Sequence, residues 1–328
     1  MTLLSDAHWI WSQLVQRSWM LRGNLAILTY HRVCEPGDHE FLQNGGVPFV
    51  TPKVFAEQVE FVRVGGFVVL PLDEALRRRD RGEPFTKRTL AITFDDGYRD
   101  NLEAAGILHA AGLPATLFVA TQCLRHEELL CEHRLFLAMA RFGRDAVTTL
   151  LADLVPAIER RRLVDWIVLR MPSTQRDTAH ERLGRALRDA GVDEPALCRD
   201  LYLAPSQLPE LRRLGIAIGS HGARHYPWTT LGDREKRDDL ADAHRALQAA
   251  LGDDVAPLFA SPYGSHRSGD RALLREHGYN AAVSTRFGGN GRSTDPLRLR
   301  RIAIGDRSWH RLSFLQRSAK VARFLDVL

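Results

Sequence analysis

Cysteine is scarce in this chain of 328 residues, which has four scattered cysteines and no C-x-x-C pair. Paired cysteines at fixed spacings are the usual sign of thiolate metal sites and of disulfide frameworks, so the sequence favours neither. The chain also lacks an apolar run of transmembrane length, and its first residues lack the basic start and apolar stretch of a signal peptide. We therefore expect a cytoplasmic protein with reduced thiols.

Lysine is almost absent, since it occurs only at positions 53, 87, 236 and 320, and arginine carries nearly all the positive charge behind the net +5. The base composition of the genome is the simplest explanation for this preference. A surface for anionic membranes or phosphate-bearing substrates is the alternative. No nucleic-acid-binding motif is visible, so we expect no nucleic-acid partner. A hydrophobic fraction of 45% makes wholesale disorder unlikely and allows a large core.

Three tryptophans lie near the start of the chain, at positions 9, 11 and 19. We interpret residues 1–24 as a helical segment that packs on the rest of the protein. The alternative is a helix at a membrane interface, where tryptophan is favoured. That alternative would give a peripheral contact with the inner face of the membrane.

Short apolar segments alternate with segments of helical spacing along most of the chain. The predicted strands are residues 25–31, 67–70, 90–94, 115–120, 281–284 and 299–304, with two more beginning near Ile216 and ending near Ala260. The predicted helices are residues 52–64, 72–79, 102–111, 233–251 and 271–277. Such alternation predicts an α/β protein with a parallel sheet, either open or closed into a barrel.

The alternation stops between residue 122 and about residue 207. This stretch is rich in arginine and leucine, shows helical spacing and carries no strand signal. We interpret it as a helical insertion between two strands, near the rim of the site. A lid, a substrate-binding cap, a packing subdomain and an oligomer interface are all compatible with it.

The apolar strand at residues 90–94 ends in two adjacent carboxylates, Asp95 and Asp96, followed by Gly97. Carboxylates at the end of a buried strand are costly unless they bind a ligand or do chemistry. Successive strand side chains point to opposite faces, so both reach one ligand only if the chain turns, which Gly97 permits. The pattern suggests one carboxylate for a metal and one for proton transfer. An ordinary polar turn is the alternative.

Two histidines, His221 and His225, follow another apolar segment. Imidazoles four residues apart fall on one side of a helical turn and can bind one metal ion. Sites in α/β folds are built at the carboxyl ends of strands, so we expect both histidines beside Asp96. The three side chains would form a two-histidine, one-carboxylate site with open positions for water and substrate.

A third apolar strand end carries the sequence F-A-S-P-Y at positions 259–263. In this order, the three segments resemble the motifs T-F-D-D-G, H-[S/T]-x-x-H and R-x-x-P-Y of the polysaccharide deacetylase family. This family is also known as carbohydrate esterase family 4 and has the NodB-homology fold. The resemblance runs from about residue 25 to residue 304, apart from the insertion. Two motif positions depart from the family, because Gly222 stands where Ser or Thr is usual and Phe259 replaces the arginine.

The resemblance implies a single domain over residues 1–328, folded as a deformed (β/α) barrel of about seven parallel strands with the helical insertion at residues 122–207. It implies a metal-dependent hydrolase that removes N-acetyl groups from an amino-sugar glycan or glycan precursor, in the synthesis of exopolysaccharide, capsule or surface polysaccharide. The cofactor would be a divalent ion, with zinc first and nickel, cobalt or manganese as alternatives. The partner would be an N-acetylated sugar polymer or a lipid-linked glycan.

The resemblance also implies roles for individual residues. Asp95 is the general base. Tyr263 and Pro262 are the residues at the substrate and the oxyanion, and the backbone N–H of Tyr263 donates to the oxyanion. The motif arginine orients the catalytic carboxylate in the family. We expect Arg301, on the last strand, to reach the site in its place, and a surface salt bridge is the alternative.

The general acid is the role for which this chain departs most from the family pattern. Most members supply a histidine from a late L-x-H motif, which the last strand lacks. A branch that resembles the poly-N-acetylglucosamine deacetylases supplies it from the first strand, where this chain has His31. We therefore assign His31 as the general acid and keep His310 in reserve. The alternative is that His31 only caps its strand.

Two other classes of function stay open. The first is a deformylase or amidohydrolase that acts on a lipid-linked sugar or another small amide, which membrane flotation of the protein would favour. The second is a catalytically inactive homologue that binds carbohydrate. Retention of both carboxylates and both histidines argues against this second class.

Overall fold

The structure, a computed structural model, describes residues 24–305 apart from residue 84 and residues 86–88. Except for Asn24, the predicted N-terminal helical segment lies outside the described residues, as does the reserve acid His310.

Ten strands lie within the described residues. They are β1 (Leu25–Tyr30), β2 (Arg32–Val33), β3 (Phe49–Val50), β4 (Val68–Val69), β5 (Thr89–Phe94), β6 (Ala115–Val119), β7 (Ile216–Ser220), β8 (Val255–Ala260), β9 (Ala281–Val283) and β10 (Ile302–Ala303). Eight of them form one sheet, with seven in the order β10-β1-β5-β6-β7-β8-β9 and β4 beside β5, and all its neighbouring pairs are parallel. The remaining two, β2 and β3, form a small parallel sheet that the sequence did not predict.

The two edges of the sheet approach each other. Shortly before β10, Leu299 forms a parallel bridge with Val283 of β9, and its N–H donates to the carbonyl of Ala282 at 2.9 Å. Asn290 in turn exchanges two backbone hydrogen bonds with Leu25 of β1, each 2.9 Å long. Irregular segments thus join the sheet edges, and the predicted deformed barrel of about seven parallel strands is confirmed.

Twelve α-helices lie within the described residues. They are α1 (Glu40–Gly45), α2 (Pro52–Val64), α3 (Leu72–Asp80), α4 (Asn101–Ala110), α5 (Cys131–Phe142), α6 (Arg144–Leu150), α7 (Leu163–Leu169), α8 (Ser173–Asp189), α9 (Glu194–Leu201), α10 (Leu208–Arg213), α11 (Asp233–Leu251) and α12 (Asp270–Glu276). In the part of the chain that the structure describes, none of these helices has the length and apolar character needed to span a membrane.

Helix α2 shows how local sequence sets an element. The Thr51 hydroxyl accepts a hydrogen bond from the N–H of Val54 at 3.2 Å, and Pro52 occupies the first turn, where its missing N–H costs nothing. Phe55 and Val59 lie one turn apart and are buried, so the helix packs its apolar face on the sheet.

Alternate side chains of the strands enter two separate cores. Ala26 and Leu28 of β1 pack toward the outer helices, whereas Leu25 and Ile27 fill the interior of the barrel. Both faces of β1 are therefore covered, as is usual for parallel sheets. Beyond this apolar filling, Thr29 lies at the carboxyl end of β1 and lines the pocket described below.

The segment between β6 and β7 contains helices α5 to α10 and no strand among its described residues. Its helices have an apolar core of their own, which includes Leu135, Leu163 and Leu183. That core continues into the barrel through Trp228 and Phe259. The inserted helices consequently pack firmly against the carboxyl-terminal side of the sheet.

Candidate active site

Asp95 and Asp96 follow β5 at the carboxyl end of the sheet. The chain turns there because Asp96 and Gly97 both have left-handed backbone angles, with φ of 77° and 93°. A positive φ is uncommon for an aspartate and persists only when the surrounding structure holds it. The turn lets two consecutive carboxylates line the same pocket, which a continuing strand could not do.

Asp96, His221 and His225 meet in one buried cluster. One ligand atom from each lies within 4.8 Å of the others, and Asp96 Oδ1 is 3.4 Å from His221 Nε2 and 3.3 Å from His225 Nε2. His221 Nδ1 is 2.7 Å from the carbonyl of Ala260, and His225 Nδ1 is 2.5 Å from Glu132 Oε1. When both rings are neutral, each Nδ1–H donates to an oxygen and each Nε2 has a lone pair directed at the cluster.

The helical turn predicted for the two histidines is wrong. Residues 221–227 form an irregular loop in which Gly222 and His225 have φ of 75° and 58°. A Cβ on Gly222 would lie 2.5 Å from Asp239 Oδ2, and Asp239 Oδ1 accepts a hydrogen bond from the N–H of Arg224 at 3.0 Å. The buried Asp239 carboxylate therefore braces this loop and leaves no room for the Ser or Thr that is usual at position 222.

The donor set fits a divalent cation. Asp96 Oδ1 is buried and has no hydrogen-bond partner among the described residues. Burial opposes the ionised form of Asp96, yet the positive charge on His225 holds the pKa of Asp96 well below the usual range. Burial likewise opposes a charged His225, yet Glu132 and Asp96 raise its pKa to about 9. The cluster thus attracts positive charge, and one carboxylate with two imidazoles suits zinc or a similar metal.

Asp95 pairs with Arg301 instead of joining this cluster. The guanidinium donates to both carboxylate oxygens, at 2.8 and 2.6 Å, and each side chain is only 3% exposed. Its Nε–H also donates to the carbonyl of Ser284 at 3.0 Å. Burial would raise the pKa of Asp95, but the Arg301 charge lowers it below the usual value. Phe259, at the family's arginine position, instead packs against Trp228 in the core.

His31 follows β1 and lines the same pocket as the carboxylates. Its Nδ1 is buried and has no hydrogen-bond partner in the described part of the chain. Burial lowers the pKa of His31, against the opposing effect of the charges on Asp96 and Asp95. A buried imidazole that faces two carboxylates and lacks a partner is suited to proton transfer.

Tyr263 lies in a short 3₁₀ turn, Pro262–Gly264, with φ of 56°. Its ring centroid is 4.7 Å from that of His225, and it lines the pocket. Pro262 begins the turn and is not among the residues that line the pocket, and its assignment to the substrate site stays a prediction. Its place is to shape the backbone that presents Tyr263.

These residues share one half-enclosed pocket of about 470 Å³. One wall is apolar and comes from the inserted helices, through Phe136, Val164 and Val168. Another wall comes from residues 45–48. Gly45 packs closely against the Phe136 ring, since a Cβ on Gly45 would lie 2.3 Å from it. Sequence reasoning missed this whole lining, because it depends on contacts between distant segments.

Glu132 is a further site residue that sequence reasoning missed. It lies in the first turn of α5, lines the pocket and contacts His225, which is 93 residues away in the chain. One signal was available in the sequence. Glu132, His133 and Arg134 stand in a row at the start of a predicted helix between apolar segments, and three consecutive positions cover more than half of a helical turn.

Comparisons with known proteins identify relatives of this chain. A family model described as polysaccharide deacetylase matches residues 82–282. YxkH of Bacillus subtilis, which is named as a polysaccharide deacetylase, is 28% identical over 114 residues, equal to 34% of this chain and 38% of YxkH. The matched part thus spans less than two fifths of the length of that curated relative.

Two solved structures share the fold. The Streptococcus pyogenes deacetylase PplD, in complex with acetate, has a TM-score of 0.58 and 17% identity, over 87% of this chain and 94% of PplD. IcaB from Ammonifex degensii has a TM-score of 0.57 and 17% identity, over 88% of this chain and 94% of IcaB. Because the family model covers more than half of the sequence, this chain belongs to the polysaccharide deacetylase family.

Proposed function

We propose that this protein is a metal-dependent hydrolase that removes N-acetyl groups from an amino-sugar polymer. The observation that carries the proposal is that two separate groups of side chains line one pocket. One is the Asp96, His221 and His225 cluster, and the other is the Asp95–Arg301 pair beside it. Hydrolysis of an amide by this route needs both a Lewis acid that polarises the carbonyl and a base that is ionised at neutral pH.

Asp96, His221 and His225 would hold the metal ion. The chemistry supplied by a divalent ion at this position is that of a Lewis acid, which polarises an amide carbonyl and makes water more acidic. Asp95 accepts the proton of the attacking water. Arg301 keeps Asp95 ionised and, by binding both oxygens, fixes the plane of its carboxylate.

His31 and Tyr263 supply the two remaining roles in the reaction. An amide nitrogen leaves poorly as an anion, so a proton donor must reach it, and His31 is the pocket histidine outside the metal cluster without a partner at Nδ1. The backbone N–H of Tyr263, in its left-handed turn, donates to the oxyanion.

The relatives support the choice of reaction. YxkH is named as a polysaccharide deacetylase, and PplD is a deacetylase seen with acetate. Acetate is the product that hydrolysis of an N-acetyl group releases. We extend the proposal to a role in the synthesis of exopolysaccharide, capsule or another surface polysaccharide, by inference from the family.

The test is amine release from N-acetylglucosamine oligomers by the purified, zinc-loaded protein. We expect Asp95→Asn to keep its zinc and to lose activity by about 10²–10⁴-fold, the usual contribution of general acid–base catalysis. The matched control is His109→Ala, which changes an exposed histidine on α4 and should leave activity unchanged. Equal amine release by Asp95→Asn and the wild type would overturn the assignment. Bound zinc without any release would exclude these oligomers as the substrate.

A further inference from the structure

The inserted helices hold the metal-binding loops through two adjacent residues at the start of α5. We propose that Glu132 is a positioning residue for the metal ligand His225, and that His133 fixes the loop that carries Asp96. The insertion is then a fixed part of the metal site instead of a mobile lid. This inference rests on the proposed function, because it assumes that the cluster binds a metal.

The contact between Glu132 and His225 is short and buried. Glu132 Oε1 lies 2.5 Å from His225 Nδ1, and each side chain is 8% exposed. A carboxylate that accepts the Nδ1–H of a ligating histidine sets the tautomer and the orientation of the ring. Here it directs Nε2 toward Asp96 Oδ1, 3.3 Å away.

The contact between His133 and the other loop is also buried. His133 Nε2 is 2.9 Å from the hydroxyl of Tyr98, which lies two residues after Asp96, and His133 Nδ1 is 2.6 Å from the hydroxyl of Tyr202. Tyr202 OH also accepts a hydrogen bond from the N–H of Leu130 at 3.1 Å. The backbone adds two bonds across the same junction, from Leu203 N–H to Gly97 O at 3.0 Å and from Arg99 N–H to Leu201 O at 2.9 Å.

These contacts argue against a lid, which is one of the roles that the sequence leaves open for the insertion. Both ends of the inserted segment are tied to the loop after Asp96, and its first helix is tied to His225. A lid motion of α5 would separate a buried carboxylate from its imidazole partner, which is strongly unfavourable. The coupling must also be reciprocal, so metal binding should stabilise the first turn of α5.

The first experiment measures zinc affinity of the metal-free protein by competition with a chromophoric chelator. We expect Glu132→Ala to bind zinc about 10–100-fold more weakly, the usual cost of losing such a partner. Glu132→Gln keeps an oxygen that can accept the Nδ1–H and should fall between Glu132→Ala and the wild type. This conservative variant also covers the case in which Glu132→Ala does not fold.

The matched control is Glu235→Gln. Glu235 accepts a hydrogen bond from Ser173 at the start of α8 and caps α11 through the N–H of Gly232, away from the pocket. The Glu235→Gln substitution removes the same charge as Glu132→Gln from a contact of the insertion and should leave zinc affinity unchanged. A purely structural role of Glu132 would lower the stability of both Glu132 variants and would leave their zinc affinity unchanged.

The second experiment is hydrogen exchange of the wild-type amides in α5 with and without zinc. We expect zinc to slow exchange at residues 131–136, and this protection to be lost in Glu132→Ala. Zinc binding of normal strength in both Glu132 variants, or exchange in α5 that ignores zinc, would overturn the inference alone. Failure of the wild type to bind zinc would instead overturn the proposed function.

Discussion

Arg301→Met gives the most detailed prediction. The wild-type guanidinium makes two hydrogen bonds of 2.8 and 2.6 Å to Asp95, and both groups are buried. Removing one partner leaves a carboxylate buried without its charge partner, which costs about 3–5 kcal/mol of unfolding free energy. The change is measured by urea unfolding of the metal-free proteins, because bound metal would add its own stabilisation.

A matched control exists on the surface. Arg182 binds both oxygens of Asp153, at 2.5 and 2.8 Å, but this pair is exposed to solvent. Exposed ion pairs contribute little to stability, so Arg182→Met should lose much less stability than Arg301→Met. Equal losses in the two variants would refute the reasoning that burial makes the Arg301 pair important.

The same variant predicts a change with pH. Arg301 lowers the pKa of Asp95, so the stabilisation by the pair is fully present above the ordinary carboxyl pKa of about 3.9 and is lost as the pH falls through the lowered value. Without Arg301 the pKa of Asp95 rises, and the acid limb of the kcat/KM profile should move to higher pH. Arg301→Lys keeps a positive charge and should move it less. An unmoved acid limb in Arg301→Met would contradict the assignment of Asp95 as the base.

Three further predictions follow from the site. His31→Ala should keep its zinc and lose about 10²–10⁴-fold in kcat. Since burial lowers the pKa of His31, the wild-type activity should decline with rising pH earlier than it would with an exposed histidine as the acid. A pH–rate profile of both proteins checks these expectations. Gly222→Ser should destabilise the protein in urea by about 1–3 kcal/mol, because of its φ of 75° and the nearby Asp239, and more than Gly112→Ala, which has a similar φ but open space. Chelation of zinc should lower the unfolding free energy by about 2.7 kcal/mol relative to zinc at 100 times its Kd, whereas a thermal unfolding curve that ignores zinc would contradict the metal site.

Local sequence predicted the elements whose signals are local. The bounds of α2 and α11 agree with the predicted ranges, since periodicity and capping lie within each helix. Asp95 and Asp96 could be placed at a strand end because the apolar run before them is continuous. The parallel sheet then follows from the alternation of strands and helices.

The features that sequence reasoning missed depend on long-range contacts or on unusual backbone angles. No pattern connects Glu132 to His225 across the insertion, so the partner of the ligand had to come from the structure. The helical turn predicted for His221 and His225 is wrong because a spacing of four says nothing about a left-handed residue. The short strands β2 and β3 and helix α1 have too few residues to show a period.

The central claim is that one bound metal ion and Asp95 together hydrolyse an N-acetyl amide. The most direct measurement is amine release from N-acetylglucosamine oligomers, with metal content determined on the same samples, before chelation, after chelation and after zinc is restored. We predict about one zinc per chain, release that disappears with the metal and returns with it, and Asp95→Asn that binds zinc without release. Release that persists in the metal-free protein would contradict the account.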